Sequence, residues 1–109
     1  MRIWDIAPRK LCRNHLLGEH RELHAIWSIL TKNKKGYSKH PETLRWKGKL
    51  AALYLRHGML IKEMKRRGYL HSSKLHHNFA IGIKKQSVFI DSCKQQVKIL
   101  RNKNCGCRV

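Results

Sequence analysis

Apolar residues recur at three- and four-residue intervals along two long stretches of the chain, which predicts two long helices. The first runs from about Pro8 to Thr31, with apolar positions at Cys12, Leu16, Leu23, Ile26, Trp27 and Leu30. The second runs from about Pro41 to Arg67, with Gly68 as its stop signal and a stripe at Leu50, Leu53, Tyr54, Ile61 and Met64. Gly48 and Gly58 interrupt it at a cost of about 1 kcal/mol each, and we expect a neighbouring helix to approach closely there.

The remaining third of the chain predicts a long loop followed by one short helix. Residues 71–89 show no regular period. Ser92 with Gln95 fits a capping box, so a helix from about Cys93 to Lys103 should dock Val97 and Leu100 on the other two. No strand pattern competes. We therefore predict an all-α fold, a single compact domain over residues 1–109 with two long helices and one short C-terminal helix.

The net charge of the chain indicates what kind of partner it binds. Lys and Arg number 25 against six acidic residues, a net charge of +19. Such an imbalance favours a polyanion, with nucleic acid first and an anionic membrane surface second. The longest apolar run, Leu50 to Leu55, is too short to span a membrane, and the start MRIWDIAPRK lacks a signal-peptide core. We expect an intracellular, cytoplasmic or nucleoid-associated protein with reduced cysteines.

The stretch HLLGEHREL holds the most informative residues. Glu19 lies four residues after His15 and three before Glu22, which predicts that the three share one helix surface beside Arg21. A carboxylate on a basic face opposes phosphate binding. It therefore needs either a structural ion pair with arginine or a chemical role, and the spacing leaves both open.

These residues also resemble a known family. The start MRIW, the run NHLLGEHREL and a long helix ending MKRRGY resemble the pyrimidine-dimer DNA glycosylases, typified by a bacteriophage endonuclease V. The likeness is densest over residues 1–26, weaker to Tyr69 and lost after Ser73. It implies a DNA repair enzyme acting on double-stranded, UV-damaged DNA: a bifunctional DNA glycosylase and abasic-site lyase that excises cyclobutane pyrimidine dimers.

The resemblance implies roles for individual residues. The nucleophile would be the α-amine of Met1, which is expected to be retained because Arg2 follows it. Such an amine has a pKa of about 7.7–8.0 and can form an imine with the damaged nucleotide before β-elimination. Glu22 would be the catalytic carboxylate, with DNA contacts at Arg2, Asn14, His15 and Arg21. No metal or cofactor is expected, and we expect a monomer.

Departures from the family pattern keep alternatives open. Ala25 stands where the resemblance places a third arginine, and the chain lacks an aromatic C-terminal tail, so an abasic-site lyase without glycosylase activity is one alternative. Basic residues between the two long helices should add phosphate contacts, foremost Lys32, Lys34, Lys35 and Lys47, joined by Lys39, Arg45 and Lys49.

Cysteines and histidines suggest a competing hypothesis from another class. Cys93, Cys105 and Cys107 with His76 or His77 could hold zinc, which would make the chain a non-enzymatic, basic nucleic-acid-binding module with a zinc-stapled tail. C-x-C alone is a weak signal, and its distance from Cys93 matches no common zinc spacing. We therefore expect unligated thiols.

Overall fold

All regular elements in the computed structural model, which describes residues 2–70 and 73–109, are helical. The helices are α1 (Arg13–Lys32), α2 (Pro41–Trp46), α3 (Leu50–Arg66) and α4 (Cys93–Asn102), with 3₁₀ turns at Pro8–Lys10 and His77–Phe79. Within these ranges there is no β-strand, and a single isolated bridge joins Lys49 to Gly82. The predicted all-α fold is confirmed, and the loop before α4 is irregular from residue 80 to its end.

The first long helix begins five residues later than predicted. Pro8 opens a 3₁₀ turn that ends at Lys10, and Leu11 and Cys12 are extended before α1 starts at Arg13. The side chain of Arg67 explains this interruption, because its Nη2 donates to the carbonyl of Leu11 at 2.6 Å and to that of Pro8 at 3.2 Å. Those carbonyls therefore bind a distant side chain instead of continuing a helix.

The predicted second helix is two helices, separated by a break at Gly48. Gly48 has a φ of 75°, in the left-handed region that glycine tolerates best. Its carbonyl accepts from the amide of Ile83 at 3.1 Å, and the amides of Ala51 and Ala52 donate to Ile81 and Ile83. The close backbone neighbour at Gly48 is therefore an irregular loop, not the helix we expected. That loop supplies acceptors for the first turn of α3.

The backbone of the loop approaches Gly48 so closely that the loop residue at the contact must also be a glycine. Gly82 has a φ of 88°, and a Cβ there would lie 2.3 Å from the carbonyl oxygen of Gly48. No other residue fits without moving the two backbones apart. Gly58, by contrast, has no atom within 4 Å of where its Cβ would be, so the predicted close approach is absent there.

The C-terminal helix forms almost as predicted. Ser92 and Gln95 make both hydrogen bonds of a capping box, and α4 ends at Asn102, one residue before the expected end. Leu100 is buried in the core and Val97 packs against it. Gln96, also buried, accepts from the amide of Asp5 at 2.8 Å, which ties α4 to the N-terminal segment.

One apolar core joins the N-terminal segment to α1, α3 and α4. Most of the predicted stripe of α1 is buried, and Leu53, Leu60 and Met64 of α3 face it. Further buried members are Ile3, Trp4, Ile6, Leu11, Trp46 and Ala52. None of the helices described is long and apolar enough to cross a membrane.

Candidate active site and nucleic-acid interface

Glu22 lies on the wall of an open cavity of about 540 Å³ between α1 and the segment that leads into α2. The α1 side is lined by Glu22, Ala25, Ser28 and Ile29, and the other side by Lys34, Gly36, Tyr37 and His40. Ala25, where the resemblance places an arginine, leaves its part of the wall apolar and small. The cavity is within the size range of small-molecule sites and combines a carboxylate, a cation and an aromatic ring.

Tyr37 is a feature of this cavity that the sequence did not reveal. The residue is 72% exposed, and its backbone has a φ of 57°, a conformation that bulky residues rarely adopt. Two turn hydrogen bonds hold it, from Ser38 to the carbonyl of Lys35 and from His40 to that of Tyr37. A lone tyrosine in a basic turn has no periodicity, so only the fold shows that its ring borders the cavity.

Glu19 is separated from Glu22 by burial, although the two are one helical turn apart. The Glu19 carboxylate is buried, with 2% of the residue exposed. It accepts two hydrogen bonds from Arg56 of α3, at 2.7 and 3.0 Å, and one from the amide of Trp4 at 3.0 Å. The shared surface predicted for His15, Glu19 and Glu22 is therefore wrong for Glu19, which makes a structural ion pair.

Burial and pairing act in opposite directions on Glu19. Burial raises the pKa of its carboxyl group, while the Arg56 guanidinium and the Trp4 amide oppose that rise by stabilising the charged form. The pair is enclosed on both sides, since 10% of the Arg56 side chain and none of the Glu19 side chain is exposed. A carboxylate held in this way is an anchor between the N-terminal segment, α1 and α3.

Arg45 is a second anchor and not a DNA contact. The sequence predicts that Arg45, like the neighbouring lysines, contacts phosphates, but only 6% of the residue is exposed. Its guanidinium donates to the carbonyls of Ile3 and Val88 at 2.9 Å each, to Asp5 at 3.2 Å and to Glu42 at 2.7 Å. Arg45 therefore fixes the N-terminal segment against α2 and the loop before α4, and it has no surface left for a phosphate.

The described part of the N-terminal segment begins at Arg2. Met1, the predicted nucleophile, lies outside the described residues. Arg2 forms an ion pair with Asp91 at 2.9 Å and stacks on the Trp4 ring with 4.8 Å between the guanidinium carbon and the ring centroid. A third of its side chain stays exposed. Arg2 is thus held at the surface, and a phosphate that binds it would have to displace the Asp91 carboxylate from the guanidinium.

Two further predicted DNA contacts lie on the surface of α1. Asn14 and Arg21 are exposed and seven residues apart, a spacing that returns to the same helix face, and Ser28 of the cavity wall continues the row. Lys32, Lys34, Lys35 and Lys47 are also exposed, and Lys34 lines the cavity. The structure thus brings Arg21 and Lys34 to the side of the molecule that carries Glu22 and the cavity.

Within residues 2–70 and 73–109, two groups of side chains could hold a metal ion. Cys12, His15, Cys105 and Cys107 form one, and His20, His24 and His57 form the other. Cys93, His76 and His77, which the sequence suggested as ligands, belong to neither group among the described residues, and the Cys93 thiol instead donates to the Asp5 carbonyl at 3.3 Å. The ligand set suggested by the sequence is therefore wrong for Cys93 and for His76 or His77, whereas Cys105 and Cys107 do belong to one group.

Burial alters the acid–base properties of the first group. Burial, helped by the charge of Lys103, lowers the pKa of His15, so its ring is more readily neutral. Burial also raises the pKa of Cys107 to about 12. The Nδ1 of His15, predicted to contact DNA, points into this group, 3.1 Å from the sulfur of Cys12.

Comparison with known proteins places these features in a family. The family model described as pyrimidine dimer DNA glycosylase matches residues 1–77 of the 109. The match includes the N-terminal segment, Arg21, Glu22 and every residue of the cavity, and it ends before α4 and the last two cysteines. Searches of curated proteins and of solved structures gave no match. The chain belongs to the pyrimidine dimer DNA glycosylase family.

Proposed function

We propose that the protein is a bifunctional DNA glycosylase and abasic-site lyase that removes cyclobutane pyrimidine dimers from double-stranded DNA. The observation that carries this proposal is the position of Glu22, on the wall of an open cavity that also presents Lys34 and Tyr37. A cavity of this size can receive a nucleotide turned out of the duplex, which an enzyme must reach to act on its glycosidic bond.

The proposed nucleophile is the α-amine of Met1. It attacks C1′ of the damaged nucleotide, and the bond between C1′ and the base breaks with its electron pair leaving on the base. The nitrogen loses a proton, and its lone pair then forms the C=N bond as the C1′–O4′ bond breaks. The sugar ring opens, O4′ takes up a proton, and the product is a protonated imine. The Trp4 amide, three residues on, is fixed to Glu19, which is one turn of α1 from Glu22. Three extended residues span about 10 Å, so the chain is long enough for the amine to approach Glu22.

Glu22 has two proposed tasks in this reaction. Its negative charge stabilises the positive charge that develops on the sugar and then on the protonated imine. It also moves protons: removal of a proton from C2′ sends electrons to break the C3′–O bond, which cuts the strand by β-elimination. Hydrolysis of the imine then frees the enzyme. No metal takes part in any of these steps.

The surrounding residues supply binding and lesion access. Arg2, Asn14 and Arg21 are proposed to hold phosphates next to the lesion. The exposed lysines around α2 add contacts that carry no sequence information and let the protein slide along DNA. Tyr37 is proposed to stack on an extruded or unpaired base, as aromatic side chains do for any base. We further propose that the protein acts as a monomer at the nucleoid.

A trapping experiment tests the nucleophile and the substrate together. Untagged protein is treated with borohydride in the presence of a duplex carrying either a thymine dimer or an abasic site, and the crosslinked peptide is identified by mass spectrometry. We expect a crosslink at the Met1 amine with both duplexes. A Met1 crosslink with the abasic duplex alone reduces the activity to a lyase, and a crosslink at Lys34 overturns the proposed nucleophile.

A further inference from the structure

Two pairs of metal-binding side chains from distant parts of the sequence meet beside the start of α1. Cys12 caps the helix and His15 lies in its first turn, while Cys105 and Cys107 follow α4. The four potential ligand atoms all lie within 4.8 Å of one another. The Nδ1 of His15 is 3.1 Å from the sulfur of Cys12 and 3.4 Å from that of Cys107.

We propose that these four residues, Cys12, His15, Cys105 and Cys107, bind one structural Zn²⁺ ion. Tetrahedral zinc with Zn–S bonds of about 2.3 Å and Zn–N bonds of about 2.0–2.1 Å places its ligand atoms roughly 3.5–3.8 Å apart. The sulfurs of Cys105 and Cys107 are 3.5 Å apart, close to that spacing. A disulfide would need about 2.05 Å, and all the cysteines are free thiols.

The backbone around the thiols is shaped for this arrangement. Gly106 has a φ of 95°, which only glycine adopts readily and which turns the flanking thiols to the same side. The amide of Cys12 donates to the sulfur of Cys107 at 3.1 Å, the kind of contact that stabilises a metal-bound thiolate. The amide of Arg108 donates to the carbonyl of Lys10 at 2.7 Å and holds the tail against the turn before α1.

The composition of the site indicates a structural metal. Three thiolates and one imidazole suit zinc, and four protein ligands complete its tetrahedron, so no position is left for water or substrate. The ion would join the C-terminal tail to the helix that carries Glu22. This inference does not depend on the proposed function, since half of the ligands lie beyond the segment that matches the family.

Metal analysis of the untagged protein, purified without added metal and without chelators, tests the proposal. We expect about one Zn²⁺ per chain, as a single closed site requires. A Cys105→Ser/Cys107→Ser variant should lose at least nine-tenths of it. Cys93→Ser, which removes a thiol outside the group, and His24→Ala, which alters the three-histidine group, should keep it. Zinc that is lost in His24→Ala but kept in the double variant overturns the assignment.

Cobalt substitution provides a second test that needs no variant to fold. Zinc is removed from the wild-type protein, and Co²⁺ is titrated in under reducing conditions. We expect an intense tetrahedral spectrum with thiolate-to-cobalt charge-transfer bands that reaches its limit at one equivalent. Weak octahedral absorption without charge transfer overturns the proposal. So does a disulfide among these cysteines in protein that was kept reduced throughout purification.

Discussion

Glu19 and Glu22 are the same residue type, one turn apart on one helix, yet they occupy opposite environments. Glu19 is enclosed by Arg56, the Trp4 amide and the core, with every oxygen used. Glu22 borders an open cavity and keeps access to whatever enters it. Three residues of helix rotate the side chain by about 300°, so the two side chains point about 60° apart around the helix axis, which is enough to separate an interior face from a cavity wall.

The difference shows how burial divides roles between identical groups. A carboxylate removed from water must be compensated by a cation and hydrogen bonds, and that compensation occupies the oxygens a reaction would need. A carboxylate beside solvent needs no such partners and can exchange protons with a substrate. In the proposed active site both residues contribute, because Glu19 holds the N-terminal segment and Glu22 faces the cavity.

The largest expected effect is on activity at Glu22. Replacing Glu22 by Gln removes the charge and the proton acceptor while keeping the shape of the side chain. We expect cleavage of a dimer-containing duplex to fall by about 10²–10⁴-fold, the usual contribution of a general acid or base. The rate is measured in single-turnover reactions, with DNA affinity measured by fluorescence anisotropy.

Stability serves as the control for Glu22. A substitution on a cavity wall should change the free energy of unfolding by no more than about 0.5 kcal/mol. Unchanged cleavage by Glu22→Gln would remove this carboxylate from the mechanism. A large loss of stability would instead mean that Glu22, like Glu19, is an anchor.

The matched substitution Glu19→Gln should act on stability. Gln keeps an oxygen for the Trp4 amide but leaves the buried guanidinium of Arg56 without a counter-charge. Breaking a buried pair in this way costs about 3–5 kcal/mol, which urea unfolding followed by circular dichroism would detect. The contrast between the two carboxylates fails if Glu19→Gln and Glu22→Gln have equal unfolding free energies.

Tyr37 sharpens the description of the cavity. Removal of its ring in Tyr37→Asn should slow cleavage of the dimer duplex roughly 5- to 150-fold, which corresponds to about 1–3 kcal/mol of stacking. Asn tolerates the left-handed backbone better than Tyr, so stability should not fall. Tyr37→Phe keeps the ring and should retain most of the activity. Equal rates for Asn and Phe would exclude stacking at this position.

Glu63 of α3 gives the smallest expected effect, a contribution to stability that is present near neutral pH and disappears in acid. Hydrogen bonds from Arg66, with a further contribution from Arg67, lower the pKa of Glu63 from 4.5 to about 2. Because the folded pKa is the lower one, the stabilisation is complete above the unfolded value of 4.5 and is lost as the pH falls to about 2. The difference in unfolding free energy between wild type and Glu63→Gln should shrink over that interval. A constant difference would contradict it.

Local sequence signals predicted the helix ends well where the hydrogen bonds that define those ends are made by residues close in sequence. The capping box at Ser92 and Gln95 placed α4 to within a residue, because both hydrogen bonds are made inside one turn. The start of α1 and the break at Gly48 were missed. Their carbonyls bind Arg67 and the amide of Ile83, partners far away in sequence that no helical period can reveal.

The amino-acid sequence alone was sufficient to recognise the all-α class, the strong positive charge and the likeness of residues 1–26 to the DNA glycosylases. These features depend on composition and on residue spacings within a few helical turns, and both can be recognised in a single sequence. The folded chain was needed to show which glutamate is buried, that Tyr37 borders the cavity, and that Cys12 and His15 meet Cys105 and Cys107. Those outcomes depend on contacts between residues that are 15 to 95 positions apart, which arise when the core closes and brings distant segments together.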